Sequence, residues 1–476
     1  MDDALHEYTA LELHQLLQRG DVSPVEATAH FLERIERLDP VVGAFAQVTP
    51  EAAIERARAV ERDMPRAAPL WGMPLADKDL HPRAGVPTAF GSRAHAGNVP
   101  EASDDLVAAI DAAGAVSLGK TATPEFGLPS YTEPRAGRPA RNPWDLALGA
   151  GGSSGGAAAA VAAGMVPVAH GTDGGGSIRI PAANCGVVGL KPTRARNPAG
   201  PDVGEGWSGL AGGHVVSRSV RDTAAFLDAS SGPSPGDPYW APPPVRPFLQ
   251  EVSAAPGKLR IALCTNPATG LPAHADCVAG AEAAARLCED LGHRVTVAAP
   301  KFDWEGLSWA MQVIIGGNLR SAVDFRLASL GRNLQQGDLE RVTAEWYEMG
   351  GKFTARDYAR AITIVHGIGR RFGAFFSQYD VLLSPVLAEP PLPLGSTDMM
   401  RLDLKAYSER LFRLIPFTPQ FNVSGGPAIS LPLHWTAGGL PVGVHFGADY
   451  GNEAVLLRLA AQLEQAQPWH DKRPPL

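Results

Sequence analysis

Two serines and a lysine stand where residues of their type are seldom found. Ser177 follows Gly174, Gly175 and Gly176 in "GTDGGGSIRIP", residues 171–181. Glycine loses more backbone freedom on folding than any other residue, so three in a row imply that something must approach the backbone itself. Ser153 lies in a second glycine-rich segment, "GAGGSSGGAAAA", residues 149–160. That segment is not a G-x-x-x-x-G-K-[ST] phosphate cradle, and G-x-G-x-x-G also fails because Ser154 stands where its third glycine belongs. It does contain G-x-S-x-G from Gly151 to Gly155, which raises a nucleophile-elbow reading with His434 or His445 as base. Lys78 ends the apolar run of "LWGMPLADKDL", residues 70–80. Lysine is ordinarily exposed, so by itself Lys78 reads as an ion-pair partner of Asp77 or Asp79 at the rim of the fold. Neighbours along a strand point to opposite faces, however, so adjacency does not make either carboxylate its partner.

Taken together the segments are specific. "GxPxxxKD" around Lys78, then "GGSSGG", then "GTDxGGSxRxPA" resembles the amidase signature family, and the likeness continues through "CGVVGLKPT" at 185–193 and "FNVSGGPAISLP" at 421–432. The intervals agree as well: 75 residues from Lys78 to Ser153 and 24 from Ser153 to Ser177. The resemblance implies a Ser–Ser–Lys catalytic set, with Ser177 as nucleophile, Ser153 as a bridging serine after a cis peptide bond, and Lys78 as general base. It implies that Gly174, Gly175 and Gly176, with Ser177, lend backbone N–H groups to an oxyanion hole. Such a placement stabilises a developing negative oxygen by several kcal/mol in a dry site. Asp173 and Arg179 match positions that orient the glycine loop. Ser154 is either a further hydrogen-bond partner or a helix N-cap.

A serine hydroxyl is a poor nucleophile until a base takes its proton, and lysine serves only when neutral. Lowering a lysine from about 10.4 to near 7 takes roughly 4–5 kcal/mol of bias, which burial can supply. One residue departs from the expected pattern. Asp77 precedes the lysine where an apolar residue is usual, and if it faced Lys78 it would raise the lysine pKa and slow the base.

The resemblance is to bacterial amidases of the nylon-oligomer hydrolase and urethanase type. It implies a serine amidohydrolase that cleaves linear amides, anilides or carbamates of small molecules through an acyl-enzyme, without metal or other cofactor. His81 and His170 lie near the motifs and read as hydrogen-bonded structural residues rather than ligands. Two other readings remain: the A subunit of a transfer-RNA amidotransferase acting in a complex, and a catalytically silent relative.

The elements that must position these residues are legible in outline. Residues 9–62 read as helices, with Ser23 as N-cap, Pro24 at the first helical position and Glu26 completing a capping box. Ala27, Phe31, Ile35 and Leu38 recur at helical spacing. From about residue 70 short apolar strands alternate with helices, the pattern of an α/β layered core. The Pro-rich stretch at 231–248 predicts an exposed excursion. Beyond it come a strand at 258–264, a helix over 273–291 stopped by Gly292, and a strand at 293–298. Residues 305–377 read as mostly helical, and a hairpin turning at Gly438-Gly439 precedes a helix from 453. The resemblance implies an α/β/α sandwich with a mixed central sheet, in one domain over 1–476. Its expected parts are an N-terminal helical flank at 1–65, a catalytic core at about 66–230, and a variable region at about 300–415 that walls the substrate pocket.

Bulk properties exclude several classes. A net charge of −8 argues against a nucleic-acid surface, which needs clustered Lys and Arg. The sequence shows no basic start with an apolar stretch behind it and no run long enough to span a bilayer. Cys185, Cys264, Cys277 and Cys288 lack C-x-x-C pairing and read as reduced thiols. A cytoplasmic protein is the resulting expectation, with a homodimer left open.

Overall fold

The first turn of the helix Pro24–Val42 is closed as its sequence predicts. Ser23 Oγ accepts from the Glu26 N–H at 3.1 Å, and the Glu26 carboxylate accepts from the Ser23 N–H at 2.9 Å. The computed structural model describes residues 4–476, so the first three residues of the expected 1–65 flank lie outside the described residues. The helical reading of residues 9–62 needs one correction. Gly43, at φ +69°, ends the helix, and Phe45–Val48 forms a strand before helix Pro50–Asp63 begins. A left-handed residue stops a helix without steric cost only if it is glycine. Phe45 is buried, and the strand pairs antiparallel with Val116–Thr121, so sheet pairing settles a segment too short to show periodicity of its own.

The described residues form thirteen strands in chain order: β1 (Phe45–Val48), β2 (Pro74–Lys78), β3 (Val116–Thr121), β4 (Arg141–Asn142), β5 (Asp145–Gly149), β6 (Val168–Asp173), β7 (Val188–Lys191), β8 (Gly212–Ser217), β9 (Arg260–Leu263), β10 (Arg294–Val297), β11 (Val381–Pro385), β12 (Ala428–Trp435) and β13 (Pro441–Gly447). Eleven of them make one sheet in the order β1-β3-β2-β6-β8-β7-β12-β13-β11-β9-β10, and β4 and β5 pair separately. The sheet is mixed: β2 runs parallel to β3 and β6, whereas β6–β8, β7–β8 and β12–β13 are antiparallel. Helices flank both faces, as β7 shows. On one side a Cβ at Gly189 would meet Ala182 of helix Arg179–Cys185 at 2.6 Å; on the other Val188 and Leu190 join a cluster with Val220, Leu227 and Leu457. The predicted mixed α/β architecture is what forms.

The remaining elements agree closely with their patterns. Helix Ala275–Asp290 carries both Cys277 and Cys288, and Gly292 follows it at φ +90°. All four cysteines are unbridged. Three helices, Trp304–Ser329, Arg341–Gly350 and Ala355–Phe376, fill 304–376, with Trp346, Tyr347, Phe372 and Phe376 buried. Residues 231–247 form neither helix nor strand and are mostly exposed. No helix is long and apolar enough to cross a membrane among the described residues.

The helix Gly155–Ala162 decides where the second serine pair sits. Alanine has the highest helix propensity, and its small side chain permits close approach to the sheet; every residue of this helix is buried. At Gly156 the approach is closer still. A Cβ there would lie 2.3 Å from the Ala44 carbonyl oxygen and 2.4 Å from the Ala122 nitrogen, both backbone atoms. Gly156→Ala is therefore expected to destabilise the protein by about 1–3 kcal/mol through overpacking. Urea unfolding of the variant against the parent measures it.

Candidate active site

Lys78 is the last residue of β2, and its side chain is fully buried. Its Nζ lies 2.8 Å from Ser153 Oγ and 2.7 Å from Thr172 Oγ1. Among the described residues, no carboxylate is within hydrogen-bond reach. Burial drives the lysine pKa well below its ordinary value, and the more distant charge of Asp173 only partly opposes the shift. The amine is thus biased toward its neutral form while touching a serine hydroxyl. Asp77 does not face it. Its carboxylate accepts from Ser117 Oγ at 2.7 Å and from Arg83 Nε at 2.6 Å on the opposite side of the strand. Burial would raise the Asp77 carboxyl, but Arg83 and Lys120 hold it well below the usual range. The unusual residue before the lysine is neutralised elsewhere.

Ser153 follows a cis Gly152–Ser153 peptide bond, and its carbonyl accepts from Thr123 Oγ1 at 3.1 Å. Ser154 occupies the N-cap position of helix Gly155–Ala162, but its side chain does not cap the helix. Instead Ser154 Oγ donates to the Thr172 carbonyl at 3.2 Å and accepts from the Thr172 N–H at 3.1 Å, while its own N–H donates to the Ser177 carbonyl at 3.1 Å. It therefore laces the segment before Ser177 to the segment after Ser153. The elbow reading with a histidine base fails on geometry. His445 Nε2 lies 3.0 Å from Arg179 Nη1 and its Nδ1 3.3 Å from Ser384, while the His434 side chain packs toward Gly280. His170 is fully buried, edge-on to His81 at 4.5 Å between ring centroids, and His81 Nδ1 lies 2.8 Å from the Asp104 carboxylate. Neither reaches a serine.

The three glycines are glycine for three different reasons. A Cβ at Gly174 would strike the Trp207 ring at 2.6 Å. Gly176 combines φ +133° with Thr418 Oγ1 at 2.5 Å from its Cβ position, so a side chain fails on both counts. Gly175 is different: its nearest neighbour would be Met311 Cε at 3.5 Å, an ordinary contact, and the residue is half-exposed. Ser177 is half-exposed beside it. Asp173 shapes this turn. Its carboxylate accepts from the Gly176 N–H at 2.8 Å and the Ile178 N–H at 3.2 Å, and takes two bonds from the buried Arg179, at 2.9 and 2.8 Å. The expectation for Gly176 is thereby corrected, because its amide is already engaged. Among the described residues, the amides of Gly174, Gly175 and Ser177 have no hydrogen-bond acceptor.

Several partners were not apparent from the sequence. Thr172 stands inside the "GTDGGGS" segment, but only the fold brings its hydroxyl to the lysine. Asn422, within "FNVSGGPAISLP", donates to the Asp173 carboxylate at 2.9 Å and accepts from Arg179 Nη2 at 2.8 Å. Thr418, which donates to the Gly175 carbonyl at 2.7 Å, carried no signal. The 300–415 region reaches the cradle through Met311. A cavity of about 350 Å³ opens at Thr172, lined by Leu80, His81, Phe90 and residues between Pro192 and Gly213 that do not include Trp207, with none from 300–415.

The amidase family model matches residues 26–457. The 6-aminohexanoate-cyclic-dimer hydrolase of Paenarthrobacter ureafaciens is 36% identical over 475 residues, covering 97% of this chain and 95% of that protein. A solved structure of 6-aminohexanoate cyclic dimer hydrolase complexed with substrate superposes with a TM-score of 0.92 at 33% identity, covering 99% of both chains. A bacterial aryl acylamidase of the amidase signature family gives a TM-score of 0.88 at 27% identity, over 98% of this chain and 97% of that one. With one family model spanning most of the sequence and relatives matched nearly end to end, the chain belongs to the amidase signature family and is a hydrolase of carbon–nitrogen bonds.

Proposed function

We propose that this amidohydrolase works through an acyl-enzyme on Ser177, with Ser153 and Lys78 as its proton relay. The observation that carries the reading is the buried Lys78 amine 2.8 Å from the Ser153 hydroxyl. Ser177 Oγ attacks the substrate carbonyl carbon and passes its proton to Ser153 Oγ as Ser153 passes its own to Lys78 Nζ. The carbonyl oxygen takes up negative charge and is met by the amides of Gly174, Gly175 and Ser177, with Gly176 holding the turn through Asp173. As the C–N bond breaks, the proton returns along the same route to the leaving nitrogen. Water then enters and attacks the acyl carbon as it loses a proton to the relay, and the relay gives that proton to Ser177 Oγ as the ester C–O bond breaks and the acid leaves.

The substrate class follows from chemistry and kinship together. The relatives act on a cyclic amide dimer and on aryl acylamides by their names, and the apolar residues Trp207 and Met311 flank the glycine turn. We assign uncharged small-molecule amides and anilides, with carbamates accessible through the same acyl transfer. The net charge of −8 supports action without nucleic acid, so the purified chain alone is expected to turn over a 4-nitroanilide.

Ser177→Ala is expected to lower kcat at least about a thousandfold with the fold retained, as loss of a nucleophile does. A fluorophosphonate should label the parent on Ser177, read by mass spectrometry; full activity in the variant, or a label elsewhere, refutes the assignment. Lys78→Ala is expected to be comparably severe. The pH dependence has a definite sign. Because Lys78 acts when neutral and burial favours that form, kcat/KM should fall as pH drops through a lysine pKa well below 10.5 and be flat above it. A rate still climbing at the pKa of an exposed lysine would contradict a buried neutral base.

A further inference from the structure

We infer that Trp207 is a specificity-determining residue of this site: its indole walls the glycine cradle and limits the bulk of the acyl group seated there. The inference rests on the reading of Ser177 as nucleophile. Trp207 belongs to a tight turn closed by a bridge between Gly206 and Ala211. Trp207 and Ser208 both adopt left-handed backbone conformations, at φ +49° and +53°. Residues other than glycine rarely do so, and here there are two in succession, one of them bulky. Such geometry persists only where surrounding contacts impose it.

Those contacts are present on three sides. Arg194 Nε donates to the Gly209 carbonyl at 2.6 Å, and Asn422 Nδ2 donates to the Leu210 carbonyl at 3.0 Å. At the tip, Ser208 Oγ lies 2.5 Å from Tyr358 OH, which also accepts from Asn318 Nδ2 at 3.2 Å. The turn is therefore fastened to the segment that holds Asp173 and to the helices Trp304–Ser329 and Ala355–Phe376. The result is an aromatic ring set against Gly174, next to the half-exposed Gly175 and Ser177. A ring that served only to fill the core would be buried, whereas Trp207 is only partly so. It stands beside one cradle glycine as Met311 stands beside the next.

The test is a series of 4-nitroanilides with acetyl, butanoyl and benzoyl groups, assayed with the parent, Trp207→Phe, Trp207→Ala and Tyr358→Phe. Trp207→Ala is expected to raise the benzoyl-to-acetyl ratio of kcat/KM about tenfold or more, the scale on which pocket volume discriminates substrates. The change should appear chiefly in KM for the bulky member. Trp207→Phe should fall between, and Tyr358→Phe, which frees the turn but keeps the indole, should move the ratio in the same direction by less. A ratio unchanged within about twofold in folded Trp207→Ala overturns the inference. So does an equal loss across the series, which would make the ring a prop for the cradle. If Trp207→Ala does not fold, Trp207→Phe is judged by the same ratio. Ser177→Ala is assayed alongside: full activity there refutes the nucleophile, whereas an inactive Ser177→Ala with an unmoved ratio refutes Trp207 alone.

Discussion

A primary amine in water holds its proton until about pH 10.4, and the relay proposed for Lys78 works only if this amine does not. Removing water is half of the solution; the other half is keeping negative charge from compensating for its loss. Three buried carboxylates lie close in sequence or space: Asp79 accepts from the Ala89 N–H, and the other two are each held by an arginine. Asp77 turns to Arg83 on the far side of the strand. Asp173, the one charge that pulls the lysine pKa back up, is bound through both oxygens by Arg179. Burial would raise the Asp173 carboxyl, but Arg179 and Asn422 hold it well below the usual range, so it stays ionised with its charge largely balanced. The bias of this amine toward its neutral form follows from how neighbouring charges are paired as much as from depth.

Depth alone would not identify the base. Lys120 and Lys191 are buried too, and burial lowers both, Lys191 to about 7. Yet Lys191 donates to the Pro192 carbonyl at 2.7 Å, and Lys120 bonds the His81 carbonyl. A carbonyl has no proton to give, so neither amine can activate a nucleophile where it sits. Lys78 alone among the three contacts serine and threonine hydroxyls. A shifted pKa marks a candidate, and the hydrogen-bond partner decides its role.

The strand carrying Lys78, the helix behind Ser153 and the glycine turn were all readable from local pattern, because each depends on residues adjacent in the chain. The capping box at Ser23 was readable for the same reason. The strand Phe45–Val48 was not, since four residues between two strong helices have no period to display and their pairing partner is some 70 residues away. The site shows the same division. Asp173 and Arg179 support the glycine turn from within it, as their motif implied. Thr172, Thr418, Trp207 and Asn422 contribute through contacts that only the sheet order creates. The role of Gly176 was misjudged because nothing local says where its amide points.

Asn422 holds the Asp173 carboxylate at one end and the Leu210 carbonyl at the other, across sequence separations of 249 and 212 residues. Closing loops of that length costs entropy, although the cost grows only slowly with length. Asp173 and Arg179 shape the glycine turn from within it, and Asn422, in the helix Pro419–Ser424, fastens that turn to the far end of the chain. Damage near the C-terminus is therefore felt at a turn 249 residues earlier in the chain.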